Sequence, residues 1–312
     1  MLSSRTLSHI RTRLRAVFRE AVADGLIAVN PTEAVKRVKI SRTEHPGIVL
    51  DFPQVARLHE LGETLHAVGA SRLWPAIFTC AAVGLRRGEV MALRWCDLDL
   101  DKDLMQIWQN LTTPSGKLEM RPTKTESGTR DVLIPVSLKV VPERQRQAII
   151  AESHANGTAF REDGPVFATT LGTYTHPDNL DRSVKGLLEW STTEPITRKR
   201  DTGKLDAQGK KIWVTYQVSF EHRLKAILRD HRAKLELVIR SGDILPKISP
   251  HDLRHTACTL MLRREMPVEV VSEVLGHSKV SITLDVYRHV LESERRQHVI
   301  DLFEAPIPER VV

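Results

Sequence analysis

Three short runs, at residues 105–110, 117–121 and 130–134, interrupt a chain otherwise patterned at helical spacing. T-T-P-S-G and K-T-E-S-G separate them, and such turn-rich segments between short β-type runs predict a three-stranded antiparallel meander. Lys124 stands in the second turn. Before the meander, Leu7, Ile10, Leu14, Val17, Phe18 and Val22 recur at helical intervals, with Arg11, Arg13, Arg15 and Arg19 largely off that face. Asp51 and Pro53 mark the start of further helices that continue to Val83. After the meander, helical patterns occupy 137–153, 177–190 and 220–239. The predicted class is α+β, mainly helical, with one small sheet.

At 312 residues the chain has room for two domains. Gly25 and the Asn30-Pro31 turn end the first helix and the stretch 41–50 reads as a linker, which predicts a small helical domain over 1–40 and a larger domain over 51–312. Apolar residues make up 41% and charged residues 27%, which excludes a disordered or collagenous chain. The longest weakly polar stretch, 75–85, is too short to span a bilayer and the cysteine usage fits a reducing cytosol, so a cytoplasmic protein without a membrane partner is expected. Cys80, Cys96 and Cys258 lack C-x-x-C spacing and suggest neither a disulfide framework nor a zinc module.

Residues 1–45 hold 9 Lys+Arg against 4 Asp+Glu, and 191–247 hold 13 against 7, whereas the rest is net acidic. Basic charge confined to segments is the footprint of a nucleic-acid binder, and it also fits an anionic membrane surface or simple solubility. For the Arg-rich first helix a mitochondrial targeting segment is a rival reading. The segment 191–232, with T-G-K-L-D-A-Q-G-K-K as an exposed hairpin or loop, is expected to be an insertion that either contacts phosphates or is merely solvated.

The stretch 80–96, the Lys124 turn and the stretch 249–291 resemble the tyrosine recombinase (phage integrase) family. The resemblance lies in G-L-R-R-G-E around Arg86, K-T at Lys124, H-D-L-R-H from His251 to His255, L-G-H at His277 and D-V-Y-R-H at Tyr287. It covers about 51–190 and 245–303 and leaves 191–232 outside. It implies the family's DNA breaking-rejoining catalytic domain preceded by a partial DNA-binding domain that is shortened at its N-terminus.

The resemblance implies that Tyr287 attacks a DNA phosphodiester and forms a 3′-phosphotyrosyl link, which a free 5′-hydroxyl later attacks. No cofactor, ATP or metal is needed. Only about one tyrosine in a thousand is ionised at pH 7, so a neighbouring base or cation is required, and His251 is the candidate base. Arg86 and Arg254 would present planar donor forks to the nonbridging phosphate oxygens. Lys124 would protonate the leaving 5′-oxygen, and His277 would donate a hydrogen bond to the phosphate. Glu89, three residues after Arg86 on one helical face, would hold that guanidinium, with a plain surface ion pair as the alternative.

Each of these residue types has an ordinary structural reading as well: a half-buried tyrosine, solvated arginines, a solubilising lysine. Arg87 is expected to be solvated and His255 to pack. His251 and His255 are four apart, as two zinc ligands on a helix would be, but the H-E-x-x-H glutamate is missing. Met261, Leu262, Val270, Val271, Val274 and Leu275, and Trp74, Trp95, Trp108 and Trp190, are assigned to packing.

The implied partner is double-stranded DNA, with a homotetramer on synapsed sites, the tail 292–303 docking on a neighbouring subunit, and accessory DNA-bending or directionality factors. A mobile-element integrase is the expected setting. Xer-like resolution, a type IB topoisomerase and a catalytically silent DNA-binding remnant are the alternatives.

Overall fold

The computed structural model describes residues 4–36, 47–123, 125–206, 208–225, 227 and 229–284, and divides the chain into two compact units, Met1–Pro46 and Gly47–Val312. Lys124, Tyr287 and the tail 292–303 lie outside the described residues.

In the first unit α1 (Ser4–Ala23) is followed by Gly25 in the left-handed region, φ +70°. Asn30 is buried: its amide donates to the Arg15 carbonyl at 3.0 Å and its Oδ1 accepts from the Thr32 N–H at 3.0 Å. The chain is thereby folded back along the helix. Leu7, Ile10, Leu14 and Val17 of the apolar stripe are exposed.

The second unit begins at α2 (Phe52–Ala67), where Asp51 and Gln54 form a reciprocal cap: Asp51 Oδ1 accepts from the Gln54 N–H at 2.8 Å and Gln54 Oε1 from the Asp51 N–H at 3.0 Å. Next comes α3 (Trp74–Val83), apolar on nearly every face and buried accordingly, with Trp74, Ile77, Cys80 and Val83 in the core. Gly84 ends it in the left-handed region at φ +69°. The short α4 (Arg87–Ala92) follows.

The expected meander is divided between two sheets. Strands β1 (Leu98–Asp99) and β2 (Leu104–Ile107) join β5 (Arg130–Leu133) in the antiparallel order β1-β2-β5. Strands β3 (Gln109–Thr112) and β4 (Glu119–Pro122) pair separately. Residues 105–110, expected as one strand, break at Trp108. Its indole Nε1 donates to the buried Asp97 carboxylate at 2.9 Å and the Arg94 guanidinium lies over its ring at 4.9 Å, which turns the chain from one sheet into the other.

Helices α5 (Val140–Ala155) and α6 (Pro177–Glu189) follow, α6 burying Leu180, Val184 and Leu187. Strands β6 (Ile196–Leu205) and β7 (Lys211–Val218) then form a long exposed hairpin. The proposed insertion at 191–232 is corrected in part. Beyond the hairpin, Phe220 and Leu224 of α7 (Phe220–Lys225), Ile227, and Leu235 of α8 (Arg229–Ser241) are buried in the main core. Their spacing of four and three residues explains why: a basic stretch carries a helical apolar stripe. Buried Arg223 fixes the base of the hairpin by donating to the carbonyls of Glu189, of Thr192 at 2.8 Å and of Glu194 at 3.1 Å.

The last described helices are α9 (Pro250–Arg263) and α10 (Val268–Leu275). Cys258, Leu262, Val271 and Leu275 form a small second core between them. Val270, expected inside, lies 42% exposed on the outer face of α10. Trp74 and Trp95 are buried, and Trp108 and Trp190 half-buried. Among the described residues no helix is long and apolar enough to cross a membrane.

Candidate functional site

The H-D-L-R-H segment opens α9. Ser249 caps it, its backbone N–H donating to Asp252 Oδ2 at 2.8 Å, and Pro250 occupies the first turn, where a missing N–H costs nothing. The other Asp252 oxygen accepts from the Ile48 N–H at 3.1 Å, and Thr256 Oγ1 accepts from the Leu50 N–H at 3.0 Å. The start of α9 is thus pinned to the entry of the second unit. His251 and Arg254 are three residues apart and share a helical face.

Arg254 is 4% exposed. Its Nη1 donates to the Gly84 carbonyl at 2.8 Å and its Nη2 to the Leu275 carbonyl at 2.6 Å. These carbonyls end α3 and α10, where the helix dipole favours a cation. The fork is held in one plane by two helix C-termini that are far apart in sequence.

Arg86 precedes α4 and is tied to the same place. Its Nη1 donates to Glu89 Oε1 at 2.6 Å, its backbone N–H to Glu89 Oε2 at 2.9 Å, and its Nη2 to the Gly276 carbonyl at 3.0 Å. The side chain stays 43% exposed. Arg87 instead forms surface ion pairs with Asp178, at 3.0 Å, and Asp181.

Glu89 is 3% exposed, so it is no surface pair. Its second partner is Arg130 of β5, also buried, whose Nη2 donates to Glu89 Oε2 at 3.0 Å. Burial alone would raise the Glu89 carboxyl pKa, but Arg130, and then Arg86, override it and hold it below the ordinary carboxylate range.

Gly276 ends α10 in the left-handed region, φ +65°, and the His277 N–H bonds back to the Ser272 carbonyl at 3.0 Å. His277 Nδ1 meets the hydroxyl of fully buried Thr283 at 2.7 Å. With that hydroxyl as donor, Nε2 carries the proton and becomes the ring's donor. Burial, followed by the charges of Arg254 and Arg86, pushes the His277 pKa down to about 4, so the ring is neutral at pH 7. His251 is lowered too, by burial and then by Arg254. It stands edge-to-face with His255, ring centroids 4.4 Å apart. Among the described residues no group of three His, Cys, Asp or Glu side chains is placed to hold a metal.

Arg86, Glu89, Arg254 and His277 therefore converge on the turn that ends α10, and His251 lies in the field of both arginines. Arg130 and Thr283 complete the cluster and were missed from the sequence. In the order of the chain, Arg130 is one more arginine in a turn-rich region; only the inward register of β5 marks it.

A profile of the Phage integrase family matches residues 203–294, a span that contains His251, Arg254, His277 and Tyr287. The XerC-like tyrosine recombinase of Caldanaerobacter subterraneus subsp. tengcongensis is 25% identical over 310 residues, covering 95% of this chain and 65% of the relative. Residues 203–294 thus match the Phage integrase family, and the chain is similar to tyrosine recombinases over nearly its whole length. A second similar protein, the ICEBs1 integrase of Bacillus subtilis, is 23% identical over 298 residues, 95% of this chain and 64% of its own length. The chain thus spans just under two thirds of the length of both relatives. The fold is that of the Tn1549 transposon integrase solved with transposon right end DNA, which aligns at 16% identity with a TM-score of 0.63 over 95% of this chain and 80% of that one. The family match begins at 203, inside the stretch that the motif resemblance had left out, in keeping with the core packing of α7 and α8.

Proposed function

We propose that this chain cleaves and rejoins double-stranded DNA as a site-specific recombinase of a mobile element, through a 3′-phosphotyrosyl intermediate on Tyr287. The observation that carries the reading is the convergence of Arg86, Arg254 and His277 on one turn, two guanidinium forks and a neutral imidazole fixed by main-chain carbonyls and by Thr283. Preorganised donors of this kind stabilise the charge that builds on a phosphoryl group under attack.

In this reading Tyr287 attacks phosphorus, the 5′-oxygen leaves with a proton from Lys124, and the tyrosyl phosphodiester conserves the bond for religation. His251, its pKa lowered, is neutral at pH 7 and accepts the tyrosine proton. Arg86 and Arg254 take the nonbridging oxygens, and His277 Nε2 adds a third donor. The hairpin of β6 and β7 presents Arg200, Lys199, Lys204 and Lys210 with exposed Trp213 and Tyr216, a ribbon suited to a DNA groove. A homotetramer on two synapsed sites performs the exchange, with accessory factors setting its direction.

The test is trapping on denaturing gels, with a pool of nicked duplexes covering the DNA that flanks the chain's own gene. A covalent adduct that disappears in Tyr287→Phe supports the reading. Salt-sensitive binding with no adduct sinks it in favour of a silent DNA-binding protein.

A further inference from the structure

Arg130 commits each nitrogen of its guanidinium. Nε donates to the Val274 carbonyl at 2.7 Å, Nη1 to the Gly128 carbonyl at 2.9 Å and Nη2 to Glu89 Oε2 at 3.0 Å. Glu89 also receives Arg86, and Arg86 reaches the Gly276 carbonyl, two residues beyond Val274. The bonds close a ring: Arg130 to Glu89, Glu89 to Arg86, Arg86 to Gly276, and back through Val274 to Arg130. Gly276 lets the ring close, since a Cβ there would lie 2.7 Å from Arg130 Nη1 and 2.9 Å from the Ser127 carbonyl oxygen.

We infer that Arg130 is a positioning residue of the site, closing the ring that sets Arg86 and the His277 turn in register with each other. The inference rests on the strand-transfer reading above. The hydrogen bonds of Arg130 go to Glu89 and to main-chain carbonyls and not to Arg86 or His277. It acts through Glu89 on one and through the end of α10 on the other. An apolar pair could occupy the same volume without loss of stability. What the guanidinium adds is direction, because three nitrogens in a rigid plane fix three chain segments at once. Lysine keeps the charge and can fix only one point.

The experiment compares the full-length wild type with Arg130→Lys, Arg130→Gln, Arg86→Lys and Arg86→Lys/Arg130→Lys. Adduct formation and equilibrium binding are read on the nicked duplex pool, with unfolding followed by circular dichroism. Arg130→Lys is expected to unfold cooperatively, to bind DNA within about threefold of the wild type and to form adduct roughly 10- to 100-fold more slowly, the scale of a misplacement of about 1 Å. In the Arg86→Lys background it is expected to add nothing, because the two act as one unit.

Hydrogen exchange on the same proteins reads the ring without DNA, and exchange should rise together at 86–89 and 274–277 in Arg130→Lys. A wild-type rate of adduct formation in Arg130→Lys, a loss that multiplies in full with that of Arg86→Lys, or unchanged exchange at the two segments overturns the proposal. So does failure of both Arg130 variants to fold, which would assign the residue to stability alone. If the wild type forms no adduct, the strand-transfer reading falls, and the exchange measurement still decides whether Arg130 closes the ring.

Discussion

Glu89→Gln should destabilise the second unit by about 3 kcal/mol. The carboxylate is 2% exposed in its side chain and bridges two guanidiniums of unequal burial: Arg130 at 5% and Arg86 at 43%. Taking one charge from a buried pair costs about 3–5 kcal/mol, because the other charge is left desolvated without compensation. That cost belongs to Arg130. The Arg86 pair is close to solvent and adds at most a few tenths. Bonds from Arg130 to the Val274 and Gly128 carbonyls survive the substitution and place the expected loss at the lower end of the range.

The assay is urea unfolding of the full chain at pH 7, with the Glu89→Leu/Arg130→Met double variant alongside. The double variant should recover most of the loss, since neither charge of the buried pair remains. The acid limb gives an independent check. The folded pKa of Glu89 is depressed, so its contribution is complete above the unfolded value near 4.3 and is lost as pH falls through the folded one. Glu89→Gln should therefore flatten the stability profile below about pH 4.3. A loss under about 1 kcal/mol with an unchanged acid limb would refute the buried-bridge account.

Other expectations follow from single residues. His277, with its pKa pushed down to about 4, should stay neutral through the physiological range, and the stability it carries above about pH 6.5 should decline as pH falls toward 4; histidine NMR resolves the titration, and a midpoint near 6.5 contradicts the burial argument. Gly276→Ala should cost about 1–3 kcal/mol in thermal or urea unfolding, because it forces a side chain into the left-handed region against Arg130 and the Ser127 carbonyl. Reversing Lys199, Lys204 and Lys210 to Glu should weaken DNA binding and make the slope of log affinity against log salt shallower by about 0.9 for each phosphate that the hairpin no longer neutralises. A slope identical to the wild type would remove the hairpin from the DNA interface.

Local rules made much of this protein readable before its structure. The helix of 4–23 and the one opened by Asp51 are encoded by short-range signals: apolar spacing, a capping side chain, a proline in the first turn. The motifs around Arg86, His251 and His277 likewise mark themselves, and the family match over 203–294 contains two of the three.

Contacts between residues distant in sequence were decided by tertiary structure alone. Trp108 turns from one sheet to another because Asp97 and Arg94 wait for it, and no pattern within 105–110 records that. Arg130 and Thr283 join the site through bonds to Glu89, Val274 and His277 that exist only once β5, α4 and the end of α10 are packed. Propensity and capping act within a few residues, and the sequence therefore determines the elements and the identity of the chemical groups. The hydrogen-bond ring that holds those groups in place spans residues 86 to 276, and only packing brings its members within reach.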